Sequence, residues 1–379
     1  MHFLNFNFGT TLAMLIRQTR VRINKERFGR QHMKKRTVGI VGTGIYIPEN
    51  VITAKEISEA TKGVWSEQAI IDKLGFTHKP IPGPQDGTQE MGVKAALDCL
   101  KNTQIDPLEI DVILCMGEEW KEYPLTTSAI YIQERIGAKN AWGIDVQNRC
   151  CTTVTAMKMA RDMLIADESI QTIMICGGYR NGDFVDYSDK NMSMMFNLGA
   201  GAGAIILKGD YYRNVLLESH IMSDGSMARD AGVEIGGIEN PITPLNIGEA
   251  YKSLRLLQPE HMKNRLNEVS MGNWMKCIDL AFEKSNVRKE DLDYLAVLHF
   301  KYSMHKQMLE LLGLTEDQSI YLSEFGHIGQ VDQILSLHLA QRQGKLNEGS
   351  VVSMIAAGIG YAWAANVIIW GERGEGNVE

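Results

Sequence analysis

The chain has 379 residues, 44% hydrophobic and 22% charged, which is enough length and apolar content for one large core or two fused ones. A formal net charge of −7 excludes a dedicated nucleic-acid binder, which needs a basic face. Six cysteines with no CxxC or metal-ligand spacing exclude a cysteine-framed zinc fold, and no apolar run approaches the roughly 18 residues of a membrane span.

In chain order, Met1 to Ile16 is mildly apolar and Arg17 to Arg30 is basic, the reverse of a secretory signal. Residues 1–34 therefore read as a tail, or the product of an upstream start codon, before the folded body. Thr37–Tyr46 predicts the first strand; its Gly42-Thr-Gly44 leads to Pro48, not to a helix, and so is a weak nucleotide-loop signal. Glu109–Met116 and Asp291–Leu298 share an acidic lead and a continuous apolar run, the pattern of a central parallel strand. Ile170–Cys176 and Gly349–Ile355 form a second such pair. Both pairs are offset by about 180 residues, a domain's length, and a helical pattern precedes each member of the second pair: Thr152–Ala166 and Val331–Gln343. The expectation is two copies of one α/β unit, residues 35–209 and 210–379, related by a pseudo-twofold axis. Between them, the Gly-, Pro- and Asn-rich stretch from Asp224 to Gln258 is expected to cross the mouth of a site.

Four segments carry chemistry. Trp142–Cys151 runs from a short strand into a helix, which points the Cys150 thiol at a helix N-terminus where a thiolate and an oxyanion are both favoured. A small buried cysteine pair packing a turn is the alternative. His299 follows the strand Leu295–Leu298, at the sheet edge where sites gather, and is equally compatible with a satisfied core histidine. His327, in Ser323–Gln330, precedes the helix that pairs with the one after Cys150, so the duplication sets it opposite Cys150; a helix-capping role is the alternative. Ala356–Tyr361 is a Gly-rich turn whose amides could complete an oxyanion hole or merely allow a tight hairpin.

Asp145–Cys150, Gly199–Ala204, Ser223–Ser226, His299, Phe325-Gly-His327 and Gly358–Trp363 together resemble, in order and spacing, the β-ketoacyl-ACP synthase III-like enzymes of the thiolase superfamily, over essentially Lys35 to Trp370. The resemblance implies a layered αβαβα thiolase fold, a cytoplasmic homodimer, and ping-pong Claisen condensation. Its substrates would be acyl-CoA or an acyl carrier protein, with no cofactor, no metal and no membrane association. It casts Cys150, His299 and His327 as the catalytic set and Cys151 as structural. The main-chain amides of Cys150 and Ile359 become the oxyanion hole, and Tyr123 reaches the partner's acyl pocket. His327 stands where the type III enzymes usually carry Asn; an imidazole can donate to an enolate oxygen as an amide does.

Other positions depart from the family. Phe300-Lys301-Tyr302 replaces Gln-Ala-Asn, Ala69 and Lys73 replace the tryptophan and arginine that grip CoA's adenine end, and Gly199-Ala200-Gly201 replaces Gly-Asp-Gly. A specialised member, as in secondary metabolism, is expected. Decarboxylative condensation with a malonyl-ACP or malonyl-CoA type extender to a 3-oxoacyl product is the first reading. The others are hydroxymethylglutaryl-CoA synthase-like condensation with Glu118 or Glu119 as base, acyl transfer to an alcohol or amine, and a non-catalytic partner subunit. Glu118 and Glu119 are otherwise expected in an exposed acidic loop. Lys263, Arg265, Lys301 and Lys306 are the candidates for receiving an acidic carrier protein, or else are solvated surface cations.

Overall fold

Among the described residues thirteen strands carry the architecture: β1 Val38–Tyr46, β2 Val51–Thr53, β3 His78–Pro80, β4 Val112–Met116, β5 Trp142–Val146, β6 Thr172–Tyr179, β7 Gly201–Gly209, β8 Arg213–Ser223, β9 Ala231–Val233, β10 Leu254–Leu256, β11 Leu292–Val297, β12 Val351–Gly358 and β13 Ala362–Glu372. This computed structural model describes residues 36–118 and 120–372. The tail expected at 1–34 and Glu119 lie outside the described residues.

Nine strands form one sheet in the order β11-β12-β13-β8-β1-β7-β6-β4-β5. The order reads as one pattern written twice from the β1/β8 seam. On one side β1, β7 and β6 pair antiparallel, while β6, β4 and β5 run parallel. On the other side β8, β13 and β12 pair antiparallel and β12 runs parallel to β11. A single parallel bridge, Leu295 to Ser319, stands where β5 stands in the first half. The seam is one antiparallel pair, Gly39 with Val215. The two strand pairs that resemble each other in sequence, β4 with β11 and β6 with β12, occupy matching places.

Helix Thr152–Ala166 packs on strands of both halves, as does helix Asp332–Arg342. These two form the middle layer. Thr88–Thr103 covers the outer face of β1, β6 and β7, and Pro259–Ser285 covers β8 and β13, which completes the αβαβα order. Composition explains the placement. In the first middle helix Ala156, Met157, Ala160 and Leu164 are wholly buried, and small residues between the two halves of the sheet allow close approach. The parallel strands β4 and β6 are buried along their whole length, as continuous apolar runs require.

This layering sets the site. Both middle helices begin at the same level of the sheet, each entered through a one-turn 3-10 segment, Arg149–Cys151 and Gly329–Val331. The stretch from Asp224 to Gln258 forms the β9–β10 ribbon and a short helix, Ile247–Ala250, outside the main sheet.

Candidate active site

Cys150 lies on the 3-10 turn that opens helix Thr152–Ala166, on the floor of a cavity of about 400 Å3. His327, from the turn that opens the other middle helix, places Nε2 3.1 Å from Cys150 Sγ. His299, just past the end of β11, lines the same cavity, as do Ile359 and Tyr361 from the β12–β13 turn. Cys150 and His327 thus meet across the entrances of the two middle helices. The remaining walls are apolar and rich in methionine: Met194, Met195, Met262, Met271, Met304 and Met308, with Trp274 and Phe300. Such side chains adapt their shape to an aliphatic guest.

The two histidines are held differently. His327 Nδ1 lies 2.6 Å from Asp332 Oδ2, and Asp332 is fully buried. The Asp332 carboxylate also accepts from the main-chain N–H of His299 and of Ile328, both at 2.7 Å. It sits in the first turn of helix Asp332–Arg342, where the aligned peptide dipoles favour negative charge. Burial alone would lower the pKa of His327, but the charges of Cys150 and Asp332 and the hydrogen bonds to both outweigh it, so the imidazole holds its proton well above the ordinary range. Cys150, His327 and Asp332 form a sulfur–imidazole–carboxylate row in which the carboxylate fixes the tautomer and the ring angle.

His299 has no such partner. Its Nε2 lies 3.2 Å from the Gly75 carbonyl and its Nδ1 lies 3.1 Å from Asn197 Nδ2. A neutral ring donating from Nε2 and accepting at Nδ1 satisfies both contacts. Burial lowers its pKa to about 4, against small opposing contributions from the Gly75 carbonyl and Asp332. The ring stacks on Tyr321 with centroids 5.0 Å apart.

Gly358 brings the β12–β13 turn against the turn that carries Cys150. A Cβ built there would fall 3.0 Å from the Cys150 main-chain nitrogen, a contact tight enough that a larger residue would push the two turns apart by a few tenths of an ångström. Ile359 follows directly and lines the cavity. Cys151 is fully buried, with Sγ 3.3 Å from the Ala362 carbonyl. Tyr123 is 72% exposed and lines a separate surface groove with Glu90 and Tyr131, away from the cavity of its own chain. Lys263 and Lys301 stand at the cavity. Arg265 is paired with Asp224 and Glu268, and Lys306 with Glu316. Among the described residues no group of His, Cys, Asp and Glu could hold a metal ion, and no helix is long and apolar enough to cross a membrane.

The exposed acidic loop expected around Glu118 is corrected. Glu118 is 4% exposed, accepts from Asn181 Nδ2 at 2.9 Å and faces Arg149 at 3.9 Å. A carboxylate at the end of a fully buried central strand stays under the fold unless the chain turns outward, and here it finds an amide and a guanidinium instead. Sequence reasoning missed Asp332 and Asn197. The signal for Asp332 is an acid in the first turn of a helix starting five residues after a candidate histidine; Asn197, 102 residues before His299, carries none.

Residues 144–225 match the family described as 3-oxoacyl-[acyl-carrier-protein (ACP)] synthase III, and residues 282–370 match that described as its C terminal. The β-ketoacyl-[acyl-carrier-protein] synthase III of Azobacteroides pseudotrichonymphae is 26% identical over 352 residues, covering 89% of this chain and 99% of the relative. That of Clostridium acetobutylicum is 26% identical over 335 residues, covering 88% and 99%. Among solved structures, 3-oxoacyl-[acyl-carrier-protein] synthase III from Aquifex aeolicus superposes with a TM-score of 0.74 at 19% identity, over 88% of this chain and all of that one. A Xanthomonas campestris OleA variant with bound lauric acid and lauroyl-CoA reaches 0.75 at 15% identity, over 89% of this chain and all of that one. The fold, the two matched segments and the full-length relatives agree: over most of its length the chain is similar to β-ketoacyl-[acyl-carrier-protein] synthase III enzymes.

Proposed function

We propose that this protein carries an acyl group on Cys150 and condenses it, with loss of CO2, with a malonyl thioester to give a 3-oxoacyl product. The contact between Cys150 Sγ and His327 Nε2, at the floor of an apolar cavity, carries the reading. In the first half-reaction the Cys150 sulfur attacks the carbonyl carbon of an acyl thioester on CoA or acyl carrier protein. The oxyanion is received by the amides of Cys150 and Ile359. His327 then gives its proton to the departing thiol as the C–S bond breaks. In the second half-reaction the malonyl thioester loses CO2, and the resulting enolate carbon attacks the acyl carbon and releases Cys150. Once the sulfur is acylated and the thiol has left, His327 Nε2 takes a proton back from solvent, and that N–H faces the enolate oxygen.

Lys263 and Lys301 at the cavity suit an anionic carrier arm. A cytoplasmic homodimer in which Tyr123 closes the partner's cavity fits its exposure. The methionine lining and the Phe300-Lys301-Tyr302 segment fit a specialised acyl group, because Phe300 packs on Trp274 to form the cavity wall.

One observation favours a second reading. Asp332 backs His327 as a carboxylate backs a general base, while both ring nitrogens of His299 are engaged, which leaves one imidazole rather than two to meet a second substrate. That arrangement suits transfer of the acyl group to a hydroxyl or amine: His327 takes the nucleophile's proton and passes it to the Cys150 sulfur as the thioester breaks.

Acyl-enzyme mixed with carboxyl-labelled malonyl thioester separates the two. Labelled CO2 released in step with a 3-oxoacyl product supports condensation. An O- or N-acyl product without CO2, when alcohols and amines are supplied, overturns it in favour of the second reading. Condensation with acetyl thioester as the only carbon donor would point instead to Glu118.

A further inference from the structure

Lys79, in the three-residue strand β3, is wholly buried, and among the described residues no carboxylate pairs with it. Its Nζ donates to the carbonyl oxygens of Phe196 and Leu198, both at 2.6 Å. The rings of Tyr187 and Phe76 lie 5.3 Å and 5.8 Å from the nitrogen. Two carbonyl dipoles and two aromatic faces are the kind of surroundings that replace part of an ammonium's lost water. Burial of a lysine without a counter-ion is costly; its pKa falls to about 7 under desolvation. A residue kept at that cost calls for a role, and the segment it grips supplies one.

Phe196 to Gly199 leaves a turn and passes beside His327. The His327 N–H donates to the Asn197 carbonyl at 2.8 Å, and the Gly199 N–H donates to the His327 carbonyl at 2.8 Å, forming an isolated parallel bridge. The carbonyls of Phe196 and Leu198, on either side of the Asn197 carbonyl that His327 takes, both accept from Lys79 instead. The Asn197 side chain reaches Nδ1 of His299. Gly326, at φ +62, brings the turn before His327 so close to the segment that a Cβ would fall 2.4 Å from the Asn197 carbonyl oxygen and 3.2 Å from Lys79 Cβ. One lysine thus sits behind a segment that touches both histidines through these bonds.

We infer that Lys79 is a positioning residue for both cavity histidines: it clamps the Phe196–Gly199 segment, which sets His327 through its main chain and His299 through Asn197. The inference rests on the reading that Cys150 and His327 do the acyl chemistry, but it can be tested without turnover.

Histidine-selective 15N spectra of the full chain give the readout. His338, bonded to Thr43 Oγ1 away from the cavity, serves as an internal reference. Lys79→Met, which keeps the length of the side chain and removes its donors, is expected to move the ring signals of His299 and His327 and leave that of His338. It should also slow alkylation of Cys150 by iodoacetamide by about 10- to 100-fold at an unchanged melting temperature. Lys79→Gln, with an N–H donor restored, is expected to recover part of the rate. A folded Lys79→Met protein with unmoved His299 and His327 signals and an alkylation rate within about twofold of wild type overturns the inference. Asn197→Ala keeps the clamp but cuts its side-chain branch, so the His299 signal should move while His327 stays. If Lys79→Met does not fold, an Asn197→Ala protein in which neither signal moves overturns the inference on its own. Failure of wild-type Cys150 to accept any acyl group would sink the proposed function while leaving these signals readable.

Discussion

His327 and His299 are equally buried in the cavity wall, yet their surroundings act on them with opposite results. Both rings are buried, both have both nitrogens within hydrogen-bond distance of a partner, and the same carboxylate touches both residues. Asp332 meets the ring of His327 but only the main chain of His299. Where the carboxylate and the sulfur face the imidazole, charge overcomes desolvation and the proton stays. Where a carbonyl and an amide face it, desolvation wins and the ring stays neutral. Equal burial therefore leaves the two rings in different protonation states, which under the proposed function suits His327 to moving a proton and His299 to holding the frame.

Exchanging the histidines separately breaks the comparison most strongly. His327→Ala is expected to slow acylation of Cys150 by about 10²- to 10⁴-fold, as loss of a general acid–base group does, measured by single-turnover mass spectrometry. His299→Ala should cost less in that step and more in thermal stability, since it removes a packed ring. Equal losses in acylation would remove the distinction. A smaller effect is expected from Asp332→Asn, which keeps the hydrogen-bond shape and removes the charge. Without that charge His327 gives up its proton at lower pH, so the alkaline limb of the pH profile for Cys150 alkylation should move down, with a rate loss of about 10- to 100-fold.

Much of this is legible in the amino-acid order alone. The repeated apolar runs at 109–116 and 291–298, with their helices, foreshadow the doubled sheet order, because buried parallel strands leave a long apolar signature. Cys150 and His327 can be set opposite each other by the duplication alone. What escapes is set by contacts remote in sequence. The carboxylate behind His327 is five residues away but looks like an ordinary helix-start acid. The partners of the His299 ring, Gly75 and Asn197, lie 224 and 102 residues from it. Glu118 is expected outside because glutamate seldom stays under a fold; its amide and guanidinium partners make it an exception. Lys79 gives no sign in a three-residue strand.

The smallest effect sharpens the neutral side of the comparison. His299 and His305 both have pKa values lowered to about 4 from 6.5, chiefly by burial. Between those values the unfolded chain binds protons that the folded one refuses, so stability is full above about pH 6.5 and falls as pH drops toward 4. His327 adds no opposing slope there, because it is protonated in the folded state throughout that window. Melting temperatures taken across it should decline with acid, and His305→Gln should flatten the decline. A melting temperature constant down to pH 4 would mean these rings are hydrated.

Intact-protein mass spectrometry of the wild-type chain and Cys150→Ala after incubation with a panel of acyl-CoAs tests the acyl-carrying role most directly. Wild type should gain the mass of one acyl group, mapped by digestion to Cys150, and Cys150→Ala should gain none. An identical adduct on Cys150→Ala, or no adduct on wild type from any acyl-CoA or acyl carrier protein thioester, would contradict it.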